Sequence, residues 1–452
     1  VTDGGARTAI AAVTSEFAEF SFADTGPEAD YGDGPLGWAG YRDSRSRART
    51  VSGETESVVC GQGQIGGQPV VLVAFDFRYI GGSLGQRAGN RICRAFEIAR
   101  RLRWPVVSLI STGGSRMQEG MRSLLQLQRI ARQCQLTRWE GLAHVAVLRE
   151  PTTGGVWASL GAGADVVIGL RGASVAFGGH RVRDPGEGDG PEFHAEGKLA
   201  AGQVDAVVAE HELPAVLRTV LELLTPTGAG PAAPAPVPRA LGRDDWPADG
   251  MAAVRRARAP ERPRAEAYLE DYFDRRFEIS GDRAGGVDPG MRCGFGRRGG
   301  ETVAFAAQTG TANTPAGFRT AARLVRLADQ LRLPILTLVD TPGAANGVAA
   351  EQAGMGSALA ELFGAVASVD VPVTTLVIGE GGSGGALALA SADRLWITPD
   401  AYFSVIAPEL GAAILKRGAE DVARTANQLR LRPQDLLELG VVHGIAGAEP
   451  IG

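Results

Sequence analysis

Four short stretches of this 452-residue chain can do chemistry through their backbone: Thr112-Gly113-Gly114, Gly154-Gly155, Pro342-Gly343-Ala344 and Gly384-Gly385-Ala386. The first and third read as turns that close a strand, the second and fourth as glycine pairs opening a helix of small residues. Glycine lets an N–H group turn towards a ligand and lets that ligand approach without meeting a Cβ, while a helix start adds unpaired donors and a positive dipole end. Two N–H groups converging from two such turns bind one oxyanion and stabilise an enolate or a tetrahedral centre. Losing one donor of this kind costs about 3 to 4 kcal/mol of barrier. A single glycine pair needs no more explanation than a tight turn or close helix packing, so the case rests on repetition.

Side chains offer less. No G-x-x-x-x-G-K-[ST] loop is present, which argues against nucleotide hydrolysis. Gly381 to Gly385 fits a G-x-S-x-G elbow with Ser383 as nucleophile, and His443 is the only histidine after it that could serve as base. His144, His180, His194 and His211 show no metal-ligand spacing, so no metal site is expected. Asp340 and Glu380 each follow a strand-like run, where a carboxylate acts as acid or base or simply caps a turn. Whatever the reaction, it must lean largely on backbone donors.

The elements that would hold these turns alternate as strand and helix, which predicts an α/β fold. Val70 to Phe77, Val106 to Ile110 and Val145 to Leu148 read as buried strands, with helical patterns at Arg91 to Leu102 and through Leu124, Leu127 and Ile130. The second half repeats the first. Trp104-Pro105-Val106 through Thr112-Gly113-Gly114 is matched by Leu333-Pro334-Ile335 through Thr341-Pro342-Gly343, and each copy then reaches its glycine pair, 49 residues from Pro105 to Gly154 and 50 from Pro334 to Gly384. The expected organisation is an irregular arm over residues 1–50, a first domain over 51–224, a Pro/Ala-rich linker over 225–247 and a second domain over 248–452. A charged helical stretch, Arg255 to Phe277, opens the second copy.

Composition excludes several classes. With 44% hydrophobic and 21% charged residues and a net charge of -5, the chain is no basic nucleic-acid binder. Glycine, at 63 residues, stands at roughly double its usual share of about 7%. Cys60, Cys93, Cys134 and Cys293 lie far apart, form no C-x-x-C pair and read as buried thiols. No apolar run approaches the roughly 20 residues a membrane span needs, and the first residues lack the pattern of a signal peptide, which sets the expectation of a cytoplasmic protein.

Residues from about 51 to 225 resemble the carboxyltransferase beta subunit of bacterial acetyl-CoA carboxylase. The resemblance is carried by Gly81-Gly82-Ser83-Leu84-Gly85, by Thr112 to Gly120 (TGGSRMQEG), by Pro151 to Val156 (PTTGGV) and by Phe177-Gly178-Gly179. Residues from about 255 to 445 resemble the alpha subunit, through Ile279 to Arg283 (ISGDR), Val339 to Ala344 (VDTPGA), Val377 to Ala388 (VIGEGGSGGALA) and Tyr402 to Glu409 (YFSVIAPE). The resemblance implies two crotonase-like (ββα superhelix) domains in tandem and a carboxyl transfer between carboxybiotin, borne on a separate carrier protein, and the α-carbon of an acyl-CoA. One oxyanion hole would hold the thioester enolate and another the biotin enolate, with biotin itself taking the α-proton. By the same analogy Gly113, Gly114, Gly154 and Gly155 belong to the acyl-CoA half, and Gly343, Ala344, Gly384, Gly385 and Ala386 to the biotin half. Gly81, Gly82, Ser83, Ser115, Arg116, Phe177, Gly178 and Gly179 would bind the acyl-CoA. Expected partners are an acyl-CoA, the biotin carboxyl carrier protein, biotin carboxylase and a second copy of the chain, since the family builds its site from different halves of two protomers.

The pattern departs from the family in three places. The four-cysteine zinc ribbon usual in the beta subunit is absent, Gln308 to Pro315 (QTGTANTP) replaces a basic insert, and Ala345-Asn346 stand where an aromatic and a proline are usual. A second reading therefore keeps the fold and drops biotin, giving a decarboxylase or direct transcarboxylase of a malonyl-type thioester. A third is a silent scaffold for carboxylase partners.

Overall fold

Runs of β-branched and aromatic residues with no polar alternation form strands only where both faces are covered, and this chain builds two sheets on that principle. The computed structural model describes residues 5–22, 32–179, 190–225 and 230–447. It divides into two units, Val1–Thr225 and Pro226–Gly452. The first contains β1 (Glu16–Glu19), β2 (Val58–Ile65), β3 (Gln68–Phe75), β4 (Val106–Thr112), β5 (His144–Thr153), β6 (Val166–Leu170), β7 (Val175–Ala176) and β8 (Ala206–Val208). Their order is β1-β2-β3-β4-β5-β6-β8, with β7 on β5. The second contains β9 (Arg275–Ile279), β10 (Met291–Arg298), β11 (Glu301–Gln308), β12 (Ile335–Thr341), β13 (Val373–Gly382), β14 (Leu395–Ile397), β15 (Tyr402–Ser404) and β16 (Gly444–Ile445). Read from the other edge, its order β16-β14-β13-β12-β11-β10-β9, with β15 on β13, is the same topology. The repeat seen in the sequence is thus a repeat of whole sheets.

In each unit an antiparallel meander leads into parallel strands joined by helices, Gln86–Leu102 and Met121–Trp139 in the first, Pro315–Gln330 and Met355–Ser368 in the second. Every residue of β4 and of β12 is buried. The helix Pro315–Gln330 starts with proline, whose missing N–H is an orphan there anyway, and buries Phe318, Ala321, Leu324, Val325 and Ala328 at helical spacing. The two central ladders also break at the same place. Ile110 pairs with Leu148 but Thr112 with Thr152, and Val339 pairs with Val377 but Thr341 with Gly381, so β5 and β13 each carry two extra residues at the same place.

Residues 1–50, expected to be irregular, contain the helix Ala6–Val13, strand β1 and the start of the helix Tyr41–Ser52. The first helix forms because Ala6, Ala9, Ile10 and Val13 fall on one face and are buried; eight residues are too short a window to stand out by periodicity. β1 pairs with β2 beside Gly61 and Gly63, where a Cβ would meet the carbonyls of Ala18 and Glu16 at 2.4 and 2.6 Å, so those two glycines admit it. The Pro/Ala-rich stretch is also less of a linker than its composition suggests. Ala235 and Val237 are buried with Tyr268, Leu269, Tyr272 and Phe305, Tyr272 donates to the Pro236 carbonyl at 2.8 Å, and Thr374 donates to that of Ala235 at 2.9 Å. Burial, not composition, decides that these residues belong to the second unit.

Because the first helix is core rather than arm, Ile10→Ala should destabilise the first unit by about 2 to 5 kcal/mol, as large-to-small core changes do. Urea unfolding followed by fluorescence measures it, and an unchanged midpoint would return these residues to a peripheral role.

Candidate functional site

The glycine turns stand where β4 and β12 end. Gly114 has φ +105° and Gly343 has φ +141°, backbone that a side chain disfavours. Each donates its N–H back to a threonine two residues earlier, Gly114 to Thr112 Oγ1 at 3.0 Å and Gly343 to Thr341 Oγ1 at 3.1 Å. Gly113 donates to the Gly81 carbonyl at 2.8 Å. These glycines spend their own N–H groups on holding the turn, so the donors expected at Gly113, Gly114 and Gly343 are not open to a ligand.

The next residue in each turn is the open one. Leu84 bridges Ser115 by donating to the Gly114 carbonyl at 2.8 Å and accepting from Arg116 N–H at 3.0 Å. Asn313 bridges Ala344 in the same way, donating to the Gly343 carbonyl at 3.3 Å and accepting from Ala345 N–H at 2.9 Å. A parallel bridge uses the groups on either side of the bridged residue and leaves that residue's own N–H unused. Ser115 and Ala344 are therefore fixed on both flanks, and their N–H groups have no acceptor among the described residues.

The second donor in each unit comes from the chain leaving the neighbouring strand. β5 ends at Thr153 opposite Ala176 and β13 ends at Gly382 opposite Ser404, so Gly154 and Ser383 occupy matching places, at φ +73° and +54°. The glycine pairs aligned by sequence are one residue out of step. With the ladder as guide, the distance along the chain from Pro105 to Gly154 equals that from Pro334 to Ser383. Gly154 donates to the Ala176 carbonyl at 3.0 Å; the N–H groups that follow, Gly155 in the first unit and Gly384 and Gly385 in the second, have no acceptor among the described residues. Ala386 is fully buried behind them.

Absent side chains let the two segments touch. A Cβ on Gly385 would lie 2.3 Å from Ala344 N, and one on Gly154 would lie 3.0 Å from Gly114 Cα. A Cβ on Gly384 would face open space. Each unit therefore sets unspent N–H groups of a strand-end turn beside those of a helix start.

Several expected ligand contacts turn out to be scaffold. Arg116, expected to bind acyl-CoA, is buried and donates to Glu56, Glu119, Tyr41, Ser57 and the Ser83 carbonyl. Burial disfavours the Glu56 charge, but Arg116 more than offsets it and holds that carboxyl below its ordinary value. Ser83 is used by the same network, its Oγ accepting from Arg116 Nε at 3.2 Å. Gly82, at φ +60°, packs so tightly that a Cβ would meet the Ser111 carbonyl at 2.2 Å, and the Gly81 carbonyl holds Gly113. Phe177 remains largely exposed just past β7, with Gly178 and Gly179 half-buried beside it; a Cβ on Gly179 would lie 3.7 Å from Thr153 Oγ1.

The side-chain alternatives are engaged elsewhere. Asp340 is fully buried; its Oδ1 accepts from Arg262 Nη2 at 2.6 Å and from Glu380 N–H at 3.1 Å. Burial raises its pKa despite Arg262. The Glu380 carboxylate accepts from Tyr402 Oη at 2.9 Å and Arg258 Nε at 2.8 Å. Ser383 and His443 are kept apart: His443 accepts from Leu395 N–H, beside Thr375, while Ser383 follows Gly382, seven residues further along β13 and about 20 Å away by strand rise. His144 is a core histidine, its Nε2 sharing a 2.9 Å hydrogen bond with Ser108 Oγ, and burial lowers its pKa to about 3. All four cysteines are buried thiols. Among the described residues no helix is long and apolar enough to cross a membrane.

A family model described as acetyl co-enzyme A carboxylase carboxyltransferase-like matches residues 249–452. The beta/alpha carboxyl transferase subunits of acetyl-coenzyme A carboxylase from Salinispora tropica are 40% identical, over 94% of this chain and 79% of that one. This chain belongs to that carboxyltransferase family. A probable biotin-dependent acyl-coenzyme A carboxylase beta3 subunit of Mycobacterium bovis is 34% identical over 91% of this chain and 83% of its own. Among solved structures, transcarboxylase 12S, a hexamer crystallised with hydrolysed methylmalonyl-coenzyme A, aligns with a TM-score of 0.80 at 22% identity, over 98% of this chain and 87% of that one. The two units thus have the crotonase-like carboxyltransferase fold.

Three outcomes follow from the geometry. Gly385→Ala should drive a methyl group into Ala344 N and reduce carboxyl transfer at least about 100-fold, whereas Ser383→Gly should stay within about twofold, because glycine is what the matching position already holds; steady-state kinetics compare them. Arg116→Leu should destabilise the first unit by about 3 to 5 kcal/mol in urea unfolding, since it strands buried Glu56 and Glu119. The Glu56 contribution is complete above its ordinary value of 4.5 and is lost as pH falls through the lower folded value, so the deficit of Arg116→Leu should shrink in acid.

Proposed function

We propose that this chain is the carboxyltransferase of an acyl-CoA carboxylase, and that its two units divide the reaction between them. The observation that carries the proposal is the matched pair of strand-end turn and helix start in each unit, with N–H groups that have no acceptor among the described residues. In the first unit Ser115 and Gly155 N–H groups take the thioester oxygen and stabilise the negative charge that gathers on it when the α-carbon acts as a carbanion. In the second unit Ala344, Gly384 and Gly385 N–H groups take the ureido oxygen of biotin. Phe177, Gly178 and Gly179 border the acyl-CoA side.

The residues of the second unit fit a ureido group: Ala344, Gly384 and Gly385 carry unspent donors, and the place a Cβ on Gly384 would fill is open. When bound, biotin supplies the travelling carboxyl group and a ring nitrogen able to accept the α-proton, so the chain needs no side-chain base of its own. Its residues bind, orient and stabilise charge at two oxygens. By analogy with transcarboxylase 12S, which is a hexamer, we infer a homo-oligomer of at least two copies, with the biotin borne on a carrier protein.

The test runs the reaction backwards. Malonyl-CoA or a homologue should be consumed only when free biotin or a biotinylated carrier is supplied, with the carboxyl group appearing on biotin and the descarboxy thioester as the other product. Release of CO₂ from malonyl-CoA at the same rate without biotin would overturn the proposal and favour a biotin-independent decarboxylase.

A further inference from the structure

Gln308 is the last residue of β11 and is fully buried. Its side-chain Nε2 donates to the Gly385 carbonyl at 3.0 Å, and its Oε1 accepts from Asp340 N–H at 3.3 Å. The orientation of the amide is fixed by its partners, because a backbone N–H can only donate and a carbonyl can only accept. One planar group therefore ties the strand that ends in the Ala344 turn to the helix start that carries the Gly384 and Gly385 donors.

Neighbouring bonds continue the tie. Gly310 donates to the Asp340 carbonyl at 2.7 Å, Thr341 Oγ1 donates to that of Thr311 at 2.8 Å, and Asn313 bridges Ala344. The sheet itself does not demand an amide at this place. In the ladder Ala307 pairs with Leu338 as Ala74 pairs with Leu109, so the counterpart of Gln308 in the first unit is Phe75, an apolar core residue. The counterpart of Asp340 is Ser111. At these two ladder positions the second unit therefore has a buried amide and a buried carboxylate where the first has a phenyl ring and a hydroxyl.

We propose that Gln308 is a positioning residue for the second hole: it sets the separation between Ala344 N–H and the Gly384 and Gly385 N–H groups, and touches neither substrate nor cofactor. The inference rests on the assignment of that hole to biotin. A shift of about 1 Å in a donor is enough to lose on the order of 100-fold in rate.

Two variants separate positioning from folding. Gln308→Met keeps the volume and loses both bonds, and Gln308→Glu keeps an acceptor for Asp340 N–H while losing the donor to Gly385 at neutral pH. Each is assayed for biotin-dependent consumption of malonyl-CoA, for the dissociation constant of malonyl-CoA by calorimetry, and for thermal unfolding. The expected result is a fall in kcat of about 10- to 100-fold in both, with malonyl-CoA affinity unchanged within twofold, because the acyl-CoA hole lies in the other unit. Both variants within twofold of the parent in kcat would overturn the proposal, as would a loss of malonyl-CoA affinity as large as the loss of kcat. Absence of biotin-dependent turnover in the parent chain would instead overturn the assignment on which it rests.

Discussion

A backbone N–H can serve a ligand only if its residue is held in place by other groups, and both units of this chain meet that requirement by the same means. A parallel bridge grips the residue on either side, through Leu84 at Ser115 and through Asn313 at Ala344. A threonine hydroxyl two residues before each turn glycine takes that glycine's N–H and fixes the turn. The donor that remains is rigid and unspent. Rigid, unspent donors are what charge stabilisation requires, because they need no reorganisation when charge develops on the reacting oxygen.

The rest of each unit can be read as support for that arrangement. Parallel strands bring two chain ends to one edge of the sheet, and the shared irregularity at the end of the central ladder adds two residues to β5 and to β13 just before those ends. Glycines at Gly154 and Gly385 remove the atoms that would keep the two segments apart. Beneath the turns the units differ. The first fills the space near its hole with a buried ionic cluster, where Arg116 joins Glu56, Glu119 and Tyr41. The second uses Gln308, Asp340 and Arg262. A buried arginine with acidic partners is costly to break, because removing it leaves buried charges without a partner.

Much of this was legible in the sequence, and the exceptions have physical causes. The tandem α/β repeat follows from Pro105 and Pro334 and the strands after them, because a buried parallel strand shows itself as an apolar run closed by a turn. That each half sets a strand-end glycine turn beside a helix start also followed. Which N–H groups are open did not, because hydrogen-bond partners such as Leu84 and Asn313 are far away in sequence from the turns they hold. The one-residue offset between the glycine pairs was hidden by Ser383, a non-glycine residue at a positive φ that glycine holds in the other unit. Arg116 sits inside the most recognisable motif of the chain and looked like a ligand contact; nothing in its type or spacing revealed that Glu56 and Glu119 would enclose it. Ala6 to Val13 was too short, and residues 235–237 too rich in proline and alanine, for composition to announce that they are core.

The central claim is that backbone N–H groups, and no side-chain base, carry the catalysis. Replacing the residue at Ala344 by lactic acid converts its amide to an ester, deleting one N–H while leaving the methyl side chain in place. Rates of biotin-dependent carboxyl transfer by this ester-containing protein and by the parent test the claim directly. A fall of about 100- to 1,000-fold, with malonyl-CoA affinity and thermal stability preserved, is the result expected for loss of one oxyanion donor. An unchanged rate would contradict the account, since it would mean that the Ala344 N–H, however well held, faces nothing that matters to the reaction.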